Sequence, residues 1–292
     1  MFSASDQARS ELKLMFVVGA LLLASGLFHL LVWAVLGGSM AGDVSWRKPI
    51  LFGFSTGATM VSLGWVLGKM RQRRGDFVLF SLFSVAMLFE VGLITLQQWR
   101  GAASHFNRST PFDAAVLAWI EGLILFATIV IAEVTRRSFQ AVSARADLVL
   151  AIQGGMVLLL FACLLGFVLV GYGNYRMSTG ESPGIFGNAG VMKFPHGMPI
   201  HAIQYLPITA WLLRRLGASE QQCLGAVKMM LKSVVAFTLF SMLQTFTGRA
   251  RFEPWWVSVV VLIVAIGFLA QLFALFATQV TARLAIRFGR SG

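Results

Sequence analysis

Residues 148–170 read LVLAIQGGMVLLLFACLLGFVLV, a run without a single charged side chain. A helix needs about 20 mostly apolar residues to cross the roughly 30 Å hydrocarbon layer of a bilayer, and this run supplies them. Working outward, seven further stretches qualify or nearly do: 14–36, 49–68, 77–97, 112–134, 198–213, 229–247 and 255–281. The composition agrees. Of 292 residues, 57% are hydrophobic and 12% charged, against about 45–50% and about 25% in soluble chains. With a mean hydropathy of +0.77, too little polar surface exists to coat a globule of this length. The chain reads as an all-α integral membrane protein with about eight transmembrane helices, which excludes a secreted disulfide scaffold and a disordered tail.

The remaining charge is organised. Of the 24 Lys and Arg, sixteen fall in the N-terminal tail, the second, fourth and sixth loops and the C-terminal tail, from Arg9 and Lys13 to Arg283, Arg287 and Arg290. The other eight are spread over the opposite side. Cytoplasmic loops carry the excess of basic residues, so both termini are expected to be cytoplasmic, in a multi-pass protein of the plasma membrane such as a bacterial inner membrane. The net charge of +12 is then a topology signal and an attraction to anionic lipid, and the expected partner is the bilayer, with no nucleic acid. The first apolar stretch exceeds the roughly 7–15 residues of a signal-peptide core and is read as a span. Cys163 and Cys223 fall on different levels, in a span and in an inner loop, and imply no disulfide.

The second half repeats the first. Ala8-Arg9-Ser10-Glu11-Leu12 before span one matches Ala144-Arg145-Ala146-Asp147-Leu148 before span five. Pro49-Ile50 and Thr59 match Pro199-Ile200 and Thr209; Leu96-Gln97 with Gly101 matches Leu243-Gln244 with Gly248; Val134-Thr135 with Arg137 matches Val280-Thr281 with Arg283. The matches are collinear. Four spans per unit make the two repeats parallel, residues 1–138 and 139–292, the second with an enlarged outer loop at 171–198.

Ionisable groups in hydrocarbon cost at least about 2.5–3.5 kcal/mol and mark functional sites by default. Three stand out: His29 in span one, Glu90 in span three and Glu121 in span four. At about 1.5 Å per residue all three share an outer-leaflet depth, and their counterparts in the second half are apolar or glycine. Converging in a four-helix unit, they would hold a cation or relay protons; the plainer reading leaves each carboxyl protonated and hydrogen-bonded. No comparable polar set is expected in the inner half except Glu133, at the cytoplasmic end. Glu90 and Glu121, with Arg100 just beyond span three, are the candidate catalytic groups.

The outer loops add His105 and Asn107 in the stretch from Trp99 to Asp113, then Lys193-Phe194-Pro195-His196-Gly197-Met198-Pro199-Ile200-His201 running into span six, and Arg249 and Arg251 after span seven. Imidazole and thioether are ligands for copper and haem iron, so His29, His196, Met198 and His201 are candidate metal ligands. His105, Gln204 and Arg249 join His29, His196 and His201 as candidate cofactor contacts, with haem or copper as the cofactor and the ligand arriving from the outer side. His196 and His201 lie five residues apart, so a break near Pro195–Pro199 is needed to bring them together. Trp46 and Trp99 suit interfacial anchoring.

No Gly-x-Ser-x-Gly, His-Glu-x-x-His or phosphate-binding glycine loop occurs, and the inner loops are short. Three functions stay open: a haem- or metal-binding redox protein acting at the outer side, a proton- or cation-coupled small-molecule transporter, in which Ser55, Thr59 and Ser62 line one helix face, or an accessory subunit of a membrane complex. The layout resembles that of the haem A synthases, which also have eight spans in two four-helix units. That family places its histidines on even-numbered helices, whereas spans four and eight here have none and only His201 falls on an even span, so neither activity nor residues are carried over.

Overall fold

The computed structural model describes residues 4–140 and 142–288, with side chains described for residues 10–140 and 142–285. Of the basic residues used above for orientation, Arg290 and the side chains of Arg9 and Arg287 lie outside it. The described chain is mostly helical. Among the described residues, seven helices are long and apolar enough to cross a membrane, which makes this a multi-pass membrane architecture. The chain divides into two compact units, residues 1–142 and 143–292.

The first unit contains α1 (Ala4–Leu36), α2 (Arg47–Leu67), α3 (Asp76–Trp99) and α4 (Pro111–Ser138). α1 packs on α2 and α3, α2 on α3, and α4 on α3. The α1–α2 contact is the closest, and glycine makes it so. Gly53 and Gly57, one turn apart on α2, face Gly19 and Gly26 on α1; a Cβ on Gly53 would fall 2.7 Å from the Gly26 Cα. Small residues let backbones approach where lipid offers no hydrophobic drive to associate. α4 starts on an N-cap, the Asp113 N–H donating to Thr110 Oγ1 at 3.1 Å, with Pro111 at the first helical position, where its missing N–H costs nothing. Its other end is tied to α3 by Arg137, whose two Nη atoms each donate to Asp76 at 2.8 Å.

The second unit contains α5 (Ala146–Ser178), a hairpin of β1 (Ile185–Phe186) and β2 (Gly190–Val191), α6 (Lys193–Gly197), α7 (Ala202–Arg215), α8 (Glu220–Phe246) and α9 (Trp256–Phe288). α5 packs on α7 and α8, α7 on α8, and α9 on α8. Gly155 admits the α7 backbone, since a Cβ there would lie 2.8 Å from the Ile203 Cα. Ala151, Leu158, Ala202, Leu206, Ala210, Val227 and Val234 form the core between these helices. Asp147, fully buried in the first turn of α5, has Arg214 Nη2 3.1 Å from Oδ2, an ion pair by distance that is not aligned as a hydrogen bond. α8 opens on a reciprocal capping box between Ser219 and Gln222.

The second unit departs from the expected layout twice. The expected span 198–213 is not a continuous helix. α6 stops at Gly197, residues 198–201 turn, and α7 runs for 14 residues, about 21 Å and short of the roughly 30 Å hydrocarbon layer. The physical reason is proline: Pro199 has no N–H to give and disfavours a helical conformation at Met198. Conversely, the expected loop at 171–198 is partly ordered. α5 continues to Ser178, and the hairpin docks on α8 where the Thr245 hydroxyl donates to the Val191 carbonyl at 3.1 Å.

Candidate functional site

At the predicted outer end of the first unit, the α3–α4 connection is a closed clip. Gly101, at φ +67°, ends α3 in the left-handed conformation that glycine adopts without strain; its N–H donates to the Gln98 carbonyl, and that of Ala102 to the Gln97 carbonyl at 2.9 Å. The Asp113 carboxylate then collects four donors: Gln97 Nε2 at 2.9 Å, Arg100 Nη1 at 2.8 Å, Ser109 Oγ at 3.1 Å and Thr110 Oγ1 at 2.7 Å. Arg100 also bonds Gln97 Oε1 and lies 4.3 Å over the Phe112 ring. Arg100, expected as a catalytic group, is thus placed in the clip, with Asp113 at a helix N-terminus that favours negative charge. Asn107 serves the same loop, donating to the Ala103 carbonyl and accepting from the Ser109 N–H.

His29 sits in an aromatic nest. Its Nδ1 lies 2.7 Å from the Ser25 carbonyl, which can only accept, so Nδ1 carries the proton; Nε2 then accepts from Trp99 Nε1 at 3.2 Å. Trp46 and Trp99 meet edge to face at 5.3 Å beside it. Both ring nitrogens of His29 are therefore engaged within the unit. His105 makes separate contacts, with Ser104 Oγ at 2.9 Å from Nδ1 and Phe52 at 5.6 Å between ring centroids.

Below the clip, Phe83, Met87, Glu90, Ile94 and Gln97 form the buried stripe of α3. The Gln97–Asp113 bond fixes the register of α3 against α4. Glu90 lies seven residues from Gln97 and Glu121 eight from Asp113, about 10.5 and 12 Å along their helices, so the two carboxyls share a level. Between them and the clip, Leu93, Ile94, Val116 and Ile120 close an apolar cluster flanked by Phe52 and Leu123. Glu90 is 4% exposed, and among the described residues no hydrogen bond or ion pair reaches it. Glu121 Oε1 is fully buried and has no hydrogen-bond partner there either. Neither carboxyl has the partner that the plainer reading requires. Ser55, Thr59 and Ser62 lie on the face of α2 opposite Gly53 and Gly57, by helical periodicity.

The predicted inner end of this unit holds Glu133, expected there, and a buried carboxyl that sequence reasoning missed. Glu11 is buried, with Gln72 Nε2 at 3.3 Å, beside the Asp76–Arg137 pair. Glu133 accepts from Arg136 and Arg73. The signal was present: Glu11, Met15, Val18 and Leu22 are all buried at the i, i+4, i+7, i+11 spacing of one helix face. Polar groups are therefore not confined to the outer half.

In the second unit the break between α6 and α7 places His196 against α5. Its Nδ1 donates to the Ala162 carbonyl at 2.8 Å, and Gly166 makes room for the ring, since a Cβ there would sit 3.3 Å from it. That bond fixes the tautomer and leaves the Nε2 lone pair, for which no protein partner is seen among the described residues. Such Nδ1–H to carbonyl bonds orient ligating histidines. Burial pushes the His196 imidazole below its usual range against the opposing pull of the Ala162 bond, favouring the neutral form that ligation needs. His201 instead faces its own helix, Nδ1 lying 3.3 Å from Gln204 Oε1. Met198 is half-buried in the turn between them. The break exists, but the two imidazoles take different partners. Arg249 pairs with Glu253 at 2.7 Å and covers the Trp255 ring at 5.1 Å. Among the described residues, no group of three or more His, Cys, Asp and Glu is arranged to hold a metal ion.

Compared with protein-family models, with curated proteins and with solved structures, the chain matches none.

Proposed function

We propose that the chain is a plasma-membrane protein with both termini cytoplasmic that passes protons, or a small cation, through its first unit. One observation carries this reading: Glu90, 4% exposed, and Glu121, whose Oε1 is buried, share a level in the first unit and lack protein partners among the described residues, while Asp76, Asp113, Glu133, Glu181 and Glu253 are each paired with an arginine. A buried carboxyl left without a partner is expensive and is retained where something else binds it. The apolar cluster above the pair supports separation of the site from the predicted outer face. Reconstituted protein is expected to dissipate an imposed pH gradient, with Glu90→Gln and Glu121→Gln reducing the flux to that of protein-free vesicles; unchanged flux in either variant would sink the reading.

A duplicated origin is part of the proposal. Both units pack in the same order: first helix on second and third, second on third, fourth on third. Gln97 and Gln244, both buried, head the same αL cap: the Ala102 N–H donates to the Gln97 carbonyl and the Arg249 N–H to the Gln244 carbonyl, each at 2.9 Å, with Gly101 and Gly248 at positive φ. Each glutamine amide then reaches across the turn, Gln97 to Asp113 in the first turn of α4 and Gln244 to the Glu253 carbonyl at 2.7 Å.

A second reading is favoured by His196 alone: haem or copper bound at the predicted outer side of the second unit, with Met198 and His201 as further donors and redox chemistry as its use. His196→Ala is expected to abolish a Soret band or bound copper in the detergent-purified protein, whereas His29→Ala leaves it. Colourless, metal-free protein expressed with haem and copper supplied would remove this reading.

A further inference from the structure

We propose that Glu11 is the inner proton-exchange group of the first unit, an inference that rests on reading Glu90 and Glu121 as exchange groups. Glu11 is 3% exposed on the face of α1 that packs into the unit. The polar and charged groups around it come from three other segments. Asp76 opens α3, Arg137 comes from the last turns of α4, and the α2–α3 connection brings Gln72. Arg137 is drawn to Asp76 and the loop, with Nη1 and Nη2 each 2.8 Å from Asp76 and Nη2 also 3.0 Å from the Arg71 carbonyl. Arg73 and Arg136 are taken by Glu133, and Lys13 is exposed.

Among the described residues Glu11 therefore keeps one long bond from a neutral amide, Gln72 Nε2 at 3.3 Å. With all three ionised, Glu11, Asp76 and Arg137 carry one surplus negative charge in a buried site, which is costly without a counter-charge. A proton on the Glu11 carboxylate cancels it. Passing that proton on leaves Glu11 ionised again, so the group cycles with no other reactant. The route toward Glu90 climbs 14 residues of α3 from Asp76, about 21 Å. Along it Ser84 is fully buried and donates to the Phe80 carbonyl at 2.7 Å.

The test is difference infrared spectroscopy of the full chain in lipid as bulk pH is lowered, reading the C=O stretch of protonated carboxyls. A band lost in Glu11→Gln and shifted in frequency in Glu11→Asp is expected, together with a separate band lost in Glu90→Gln. Should Glu11→Gln fail to fold, the frequency shift in Glu11→Asp carries the test. Absence of any band sensitive to substitution at Glu11 overturns the inference. A Glu11 band without a Glu90 band supports the titrating site and defeats the proposed function; a Glu90 band without a Glu11 band does the reverse.

Discussion

Replacing Gly53 with leucine is expected to prevent assembly of the first unit. At this position α1 and α2 touch backbone to backbone: a Cβ on Gly53 would meet the Gly26 Cα and N at 2.7 Å and the Leu22 carbonyl at 2.9 Å. None of these atoms can swing aside as a flexible side chain would. Inserting methylenes into an ordinary packed core costs about 1–3 kcal/mol, and a leucine here must separate two backbones along their whole crossing. Because α1 also packs on α3, the displacement would spread to the stripe that carries Glu90. Size-exclusion chromatography and thermal unfolding in lipid-like detergent read the effect, with Gly92→Leu as the control, since a Cβ there meets nothing within 4 Å. A Gly53→Leu protein that elutes and melts like the wild type would show that the close crossing is dispensable.

Arg137→Met should cost about 3–5 kcal/mol, the penalty for removing one partner of a buried ion pair. Asp76 would lose both of its Nη donors, and two carboxylates, Asp76 and Glu11, would remain at the buried end of α1 and α3 without a cation between them. The guanidinium also joins separate segments, tying the end of α4 to the start of α3 and to the Arg71 carbonyl. Since replacing a whole buried pair with apolar side chains is often neutral, the double variant Asp76→Leu with Arg137→Met should recover much of the loss in thermal unfolding. A single variant as stable as the wild type would mean that the pair is already broken in the folded protein.

The helical membrane architecture was legible because long uncharged runs and basic edges are local properties of sequence. The interrupted second helix of the second unit was not. Residues 198–213 average to an apolar segment, and only the spacing of Pro195, Pro199 and Pro207 hints that α7 is short. Glu90 and Glu121 were legible because a carboxyl inside an apolar run is conspicuous whatever surrounds it. Glu11 escaped notice because it precedes the apolar run; its burial depends on Gln72, Asp76 and Arg137, all more than 60 positions away. The histidines show the opposite limit. Sequence placed all four at one predicted side, yet whether a ring nitrogen is open depends on its partners. His29 spends both nitrogens on Ser25 and Trp99, whereas His196 keeps Nε2. Arg100 looked available for chemistry until the antiparallel turn brought Asp113 beneath it.

The central claim is that Glu90 and Glu121 are a proton-exchange pair, and proton flux tests it most directly. Full-length protein in liposomes loaded with a pH-sensitive dye would be given a pH gradient, with ionophore-clamped counter-ion movement, and compared with Glu90→Gln, Glu121→Gln and the exposed control Glu181→Gln. The account predicts that wild type and Glu181→Gln collapse the gradient faster than protein-free vesicles while both buried-site variants do not. Wild-type flux no greater than that of empty vesicles, or Glu90→Gln flux equal to wild type, would contradict it.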